Sequence, residues 1–326
     1  MMYRSALSAI LIMNVAAGLC GRPSHAQGYP VKSVRLIVPF PPGGSTETIA
    51  RITATKLGEL WGQQVIIDNR PGAGGIIGTE LGARAAPDGY TLLMGSGAPL
   101  TIIPNLPAKL AYDPIKDFAP LINVSAVPNV IAAHPSVPAR NIKELIALAR
   151  TRPGQLTFSS NGAGAPGHLA GELLNTMSGT KMLHVPYKGA APATMAVLSG
   201  EVSMTITTTT SVLPQAKAGR IRILVVTTLQ RLAFLPEVPT VAESGLPGYE
   251  AISWFGLVAP AAVNADILRK LAADAMQVVK TRDMEDKLAP HGATLLASGP
   301  DQFRVQIRDD LAKWGKVVRA AGVKAD

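Results

Sequence analysis

Val34-Arg35-Leu36-Ile37-Val38-Pro39-Phe40-Pro41-Pro42-Gly43-Gly44-Ser45-Thr46-Glu47 changes character partway along. Residues 34–38 are too few for a helix and rich in branched side chains, which predicts a buried strand. From 45 to 60 the spacing is helical: Ile49, Ile52, Leu57, Leu60 and Trp61 fall close to one face. Between strand and helix lie a rigid proline stretch and two glycines. That junction leaves unpaired backbone N–H groups at a helix N-terminus, with no side chain to block an approaching anion. Ser45 and Thr46 have the chemistry to cap the helix or to donate hydroxyl hydrogen bonds, so an ordinary capped turn is the competing reading. The Lys-Ser/Thr pair of a nucleotide-binding P-loop is absent.

The same alternation continues outward. Residues 65–67 and 91–94 read as buried strands, and 76–85 as a helix. Repeated strand–helix–strand units predict a parallel sheet with helices on both faces. Further on, 130–133, 157–160, 202–206, 221–227 and 254–258 read as strands. Segments 141–150, 168–177, 191–198, 264–280 and 301–320 read as helices. At 326 residues the chain exceeds one ordinary core. No flexible tether divides it, so two lobes joined by crossing strands are expected, with 118–125 and 224–228 as the crossings. Such a pair forms a hinge.

A second junction has the build of the first. Ser159-Ser160-Asn161-Gly162-Ala163-Gly164-Ala165-Pro166-Gly167-His168 leaves a strand, passes glycines and small polar residues, and enters a helix. It reads as an anion cradle or as a flexible loop. Facing the first across a cleft, it would offer a second helix N-terminus to the same anion. A third glycine-rich stretch, 69–75, carries Arg70, which reads as a surface residue of a turn. Catalytic motifs are missing: the second His of a His-Glu-x-x-His zinc motif is absent after His168 and Glu172, and there is no Gly-x-Ser-x-Gly elbow. A dyad of Ser160 and His168 has no pattern to orient it. His134, His184 and His291 stand singly and read as core or surface residues. No catalytic residue, metal site or cofactor is expected.

Composition narrows the class. The chain is 47% hydrophobic and only 16% charged, which excludes disorder. It is basic, with 31 Lys+Arg against 22 Asp+Glu, yet these are scattered singly, so no nucleic-acid partner is expected and anionic small molecules fit better. Residues 1–26 read as an export signal: Arg4, an apolar stretch over 6–19, then Ser24-His25-Ala26 before the cut. Cys20, the single cysteine, follows Leu19 and would leave with the signal, so no disulfide is expected. The expected product is a periplasmic monomer.

Taken together, Val38-Pro-Phe-Pro-Pro-Gly-Gly44, Asn69-Arg-Pro-Gly-Ala-Gly-Gly75, Ala86-Pro-Asp-Gly-Tyr-Thr-Leu-Leu93, His184-Val-Pro-Tyr-Lys-Gly189, Leu235-Pro-Glu-Val-Pro-Thr-Val-Ala-Glu243 and Trp254-Phe-Gly256 form a specific pattern. Their order and spacing resemble the substrate-binding receptors of tripartite tricarboxylate transporters, the Bug receptors. The resemblance implies a type II periplasmic-binding-protein fold: two α/β lobes with a ligand cleft between them. Lobe one would comprise 27–124 plus 226–326, and lobe two 125–225. It implies capture of a small carboxylate and delivery to a membrane permease; signalling to a membrane sensor protein is the alternative, with a secreted hydrolase third. By the same resemblance the ligand is held by Phe40, Pro41, Gly43, Gly44, Ser45, Thr46 and Glu47 from one loop. Ser159, Ser160, Asn161, Gly162, Gly164 and His168 would act from the other, with Tyr187 and Thr207 nearby. Two departures bear on specificity. Glu47 stands where the family usually has Asp, and Thr207-Thr208-Thr209-Thr210 stands where it often has acids. Lacking an acid to meet a ligand amine, the chain is expected to favour di- or tricarboxylates or aromatic acids over amino acids.

Overall fold

The computed structural model describes residues 28–107 and 109–323. The expected export signal over 1–26 and Cys20 therefore lie outside the described residues. The first lobe begins with β1 (Val34–Val38), α1 (Ser45–Trp61), β2 (Val65–Asn69), α2 (Ile76–Ala83) and β3 (Thr91–Ser96). β1 lies between β2 and β3, parallel to both. Leu36 points into one apolar cluster, with Ile49 and Leu57 of α1, while neighbouring Ile37 points into another with Leu93. A strand covered on both faces needs apolar residues at successive positions, and β1 has them.

β4 (Phe118–Ala133) then runs from one lobe into the other, every one of its residues buried. The second lobe follows: α3 (Ile142–Thr151), β5 (Thr157–Ser160), α4 (Pro166–Ser178), β6 (Leu183–Pro186), α5 (Ala190–Leu198), β7 (Met204–Thr208), α6 (Thr209–Lys217) and β8 (Arg222–Val226). The chain returns through β9 (Ile252–Pro260), α7 (Ala265–Val279), α8 (Arg282–Leu288), β10 (Thr294–Ser298) and α9 (Pro300–Ala321).

The strand order is β2-β1-β3-β9-β4-β7-β5-β6, with β8 and β10 also paired to β4. The first part of β4, from Phe118 to Pro128, pairs with β9; its last part, from Asn129 to Ala133, pairs with β7. Sequence reading divided this strand into a crossing over 118–125 and a separate strand over 130–133. Pro120 and Pro128 interrupt the pattern there. Each removes a ladder donor without ending the strand, and the register with β9 shifts next to Pro120.

After β8, Leu232, Leu235 and Val238 are buried in the cluster that holds Val130 and Val226. Tyr249, wholly buried, donates its hydroxyl proton to the carbonyl of Ala170 in α4 at 2.8 Å. Just before β9, Asn129 Nδ2 donates to the carbonyl of Ala251 at 3.2 Å. α9 also belongs to both lobes: Phe303 and Ile307 pack beside Trp254, while Trp314, Val317 and Val318 pack with Phe158 and Leu174. Ile102 and Ile103, which follow β3, enter that same second-lobe cluster.

Candidate ligand-binding site

β1 delivers the chain to the first loop, and its glycines shape the turn. Gly43 adopts φ +89°, a left-handed value that side-chain-bearing residues avoid. Gly44 caps α1 in extended conformation without a side-chain hydrogen bond to the helix. The first intrahelical bond runs from Thr48 N–H to the carbonyl of Gly44 at 3.0 Å. The amides of Ser45, Thr46 and Glu47 precede that bond, so they begin the helix without an i−4 partner. Asn69 Nδ2 donates to the carbonyl of Phe40 at 3.0 Å and steadies the loop from behind. Arg70 pairs with Asp68 at 2.9 Å, and its backbone N–H donates to the carbonyl of Val38 at 2.8 Å, so the third glycine-rich stretch is tied to the strand that leads into the first loop. Pro41 is exposed, whereas Thr46 and Glu47 are buried. The Glu47 carboxylate accepts from Arg51 Nε at 2.8 Å, one turn along, and its charge is matched there.

A cavity of about 110 Å³ opens against this loop. Gly43, Ser45, Thr48 and Ile49 line it from the first lobe, with Val127 of β4 at the hinge. Thr210 lines it from the second lobe, and His291, in the turn after α8, completes it. Thr210 lies in the first turn of α6, whose cap, Thr208, makes no side-chain bond to the helix backbone; its hydroxyl lies instead 3.0 Å from Thr210 Oγ1 and 3.3 Å from Ser211 Oγ. Two helix N-termini, one per lobe, therefore face one space, and each presents partial positive charge to it. Around α6 the hydroxyls of Thr207 and Thr209 are buried with no hydrogen-bond partner among the described residues. The lobes touch beside the cavity: a Cβ added to Gly292 would lie 2.8 Å from Thr209 Oγ1.

The second glycine-bearing loop is not among the residues lining that cavity. Its polar groups are turned on one another. Ser159 Oγ donates to the carbonyl of Ala193 at 2.8 Å. Ser160 Oγ donates to the carbonyl of Gly162 at 3.0 Å and lies 2.7 Å from His184 Nε2. Gly164 N–H donates to His168 Nδ1 at 3.1 Å, and the rings of His168 and His184 stack with centroids 3.7 Å apart. Burial, with the neighbouring His168, pushes His184 down to about 3, so its ring is neutral. His168 Nε2 lies 3.8 Å from Glu172, whose carboxyl burial raises above its ordinary range. Asn161 is exposed, and the Tyr187 hydroxyl donates to Glu201 at 2.7 Å. Of the residues expected to hold the ligand, Gly43 and Ser45 line the cavity; Thr48, Ile49, Val127, Thr210 and His291 line it unforeseen. Thr210 at least belongs to a conspicuous threonine run, but nothing near His291 in sequence marks it.

A larger hollow of about 360 Å³ lies between α1 and the α7–α8 corner, lined by Lys56, Leu60 and Val278 among others. Its cation is already taken, since Lys56 bridges Glu59 and Asp283 at 2.6 Å each. It has no glycine loop, and the α8 N-terminus beside it is already capped by Thr281 and faced by Asp283, so the smaller cavity is the better candidate.

The family described as tripartite tricarboxylate transporter family receptor, TctC, matches residues 49–323. The chain belongs to this family. It is 36% identical to protein BugT of Bordetella pertussis over 324 residues, covering 99% of each chain. Among solved structures, R. palustris Rpa4515 with adipate is 36% identical, with TM-score 0.82 over 91% of this chain and 99% of that one. The periplasmic binding protein BugD is 32% identical, with TM-score 0.78 over the same shares of both chains. The expected periplasmic-binding-protein fold is thus the fold of this TctC chain. TctC proteins are solute-binding receptors, not an enzyme family, and their place is the periplasm. Among the described residues of this TctC chain, no helix is long and apolar enough to cross a membrane.

Proposed function

We propose that this receptor closes on a small, amine-free carboxylate in the cavity between its lobes and hands it to a membrane permease. One observation carries the reading: the N-termini of α1 and α6, from opposite lobes, line a single small cavity. An anion there gains hydrogen bonds from both lobes only when they meet, so the ligand favours the closed arrangement by its differential affinity. At about 110 Å³ the space is well under the roughly 300–1,000 Å³ of drug-sized sites, which favours a small acid over a bulky ligand. No acidic side chain lines it, and Glu47 is matched by Arg51. An ammonium group would find no carboxylate there. Adipate, bound by the relative Rpa4515, is an acid of this type.

The lobe division that goes with this reading moves the outward crossing from 124–125 to about 128–129, where β4 exchanges β9 for β7. It moves the return from 226 to about 249–252, because 227–251 pack with the second lobe. Turnover by Ser160 is not part of it, since that hydroxyl is fully buried and engaged with Gly162 and His184. Titration calorimetry of the mature chain with adipate, succinate, citrate, benzoate, aspartate and glutamate tests the reading. Binding of one or more of the amine-free acids, tighter than either amino acid, is expected. Binding of aspartate or glutamate alone would refute it.

A further inference from the structure

His291 is the one residue among those lining the inter-lobe cavity whose side chain can carry positive charge; the first loop contributes Gly43 and Ser45, and the second lobe Thr210. It is also held in place. Residues 289–291 form a single tight turn after α8, closed by a bond from Gly292 N–H to the carbonyl of Ala289 at 2.9 Å. The next residue, Gly292, is buried at φ +61° against Thr209, so the backbone that carries the imidazole is fixed where the lobes touch. A backbone fixed by its own turn loses little freedom when a ligand arrives.

From this placement we propose that His291 is a specificity residue: it holds the second carboxylate of a dicarboxylate whose first carboxylate rests on the helix N-termini. The amides of α1 and α6 are donors to any carboxylate and cannot tell a diacid from a monoacid. An imidazole across the cavity can, because it donates an N–H, and in its charged form a charge-assisted one, to a second anionic group. A monoacid of the same carbon count would leave that donor facing a methyl group. The inference rests on the carboxylate reading above and adds the residue that selects among carboxylates.

The test compares adipate with hexanoate, and succinate with butyrate, by calorimetry on the mature chain and on His291→Leu and His291→Gln. His291 is exposed, so both variants should melt with the parent. The parent is expected to prefer each diacid over its monoacid. In His291→Leu the diacid affinity should fall about tenfold while the monoacid changes less than about twofold. His291→Gln, which keeps a donor but no charge, should fall between. An unchanged diacid-to-monoacid ratio in His291→Leu would overturn the role of His291 and leave the carboxylate reading standing. A parent that binds none of the four acids would overturn the role of His291, and one that also fails to bind citrate and benzoate would overturn both.

Discussion

Gly292→Ala separates the closing of the lobes from the stability of either one. The residue lies at φ +61°, where a Cβ costs about 1–2 kcal/mol of backbone energy. The added carbon would also sit 2.8 Å from Thr209 Oγ1 and 3.7 Å from its Cβ. Thr209 is fully buried in the first turn of a helix, where a β-branched side chain has little choice of rotamer. Overpacking of this kind costs about 1–3 kcal/mol. Because the clash lies between lobes, that second cost falls on the closed arrangement and is relieved by opening. It should therefore appear as a loss of affinity of about 5- to 150-fold. Gly62→Ala is the matched control: φ is +62°, and its Cβ would meet nothing within 4 Å. Both variants should lose similar stability in urea, but only Gly292→Ala should lose affinity for the bound acid in calorimetry. Thr209→Ala, which removes an oxygen that has no partner, should restore binding in the double variant. Equal affinity in Gly292→Ala and Gly62→Ala would refute the contact between lobes as a determinant of closure, and so would a double variant no better than the single one.

Two further outcomes are expected. Gly44→Leu introduces no left-handed strain, since φ is −88°, and its Cβ would meet only the carbonyl of Pro41 at 4.0 Å. The melting temperature should fall slightly, by the few tenths to about 1 kcal/mol of a poorer cap, while calorimetric binding disappears; undiminished affinity would remove the first loop from the site. His184 should make the fold acid-sensitive. Its ring takes a proton at about 3 in the folded chain, against 6.5 ordinarily, so between those values the unfolded chain binds the proton and stability falls as pH falls. The slope is at most about 1.4 kcal/mol per pH unit, and less for a ring that is only partly buried. Glu172 works in the opposite sense, but it is present in both chains and cancels in a comparison. Urea midpoints at pH 7 and pH 5 should therefore lie closer together in His184→Gln than in the parent; an equal spacing would dissociate the acid limb from this ring.

Local signals carried much of the fold into view. β1, the loop after it and α1 could be read because strand, turn and helix each leave a short-range mark: branched residues, paired glycines, a 3.6-residue stripe. What escaped depended on distant partners. β4 looked like two pieces because Pro120 and Pro128 break the local pattern, while pairing with β9 and β7 holds the strand together. β10 pairs with β4 at its edge of the sheet, is nowhere fully buried, and shows no alternation to betray it. The first loop was legible as a candidate site from its bare amides alone, and its Gly43 and Ser45 line the cavity. Thr210, Val127 and His291 were not, because a cavity between lobes is assembled from residues that meet only in three dimensions. His168 and Ser160, expected to hold a ligand, also contact His184, and no spacing in the chain announces that partner.

The last helix has a mechanical consequence. α9 contributes Phe303 and Ile307 to the apolar interior of one half and Trp314, Val317 and Val318 to that of the other, and Ile102 and Ile103 make the same trespass from the opposite direction. Neither half owns its interior outright, so prising the jaws apart is confined to the mouth while the spine stays bound. A protein built this way swings like a book bound along its back, and on heating its two covers should come away in one event.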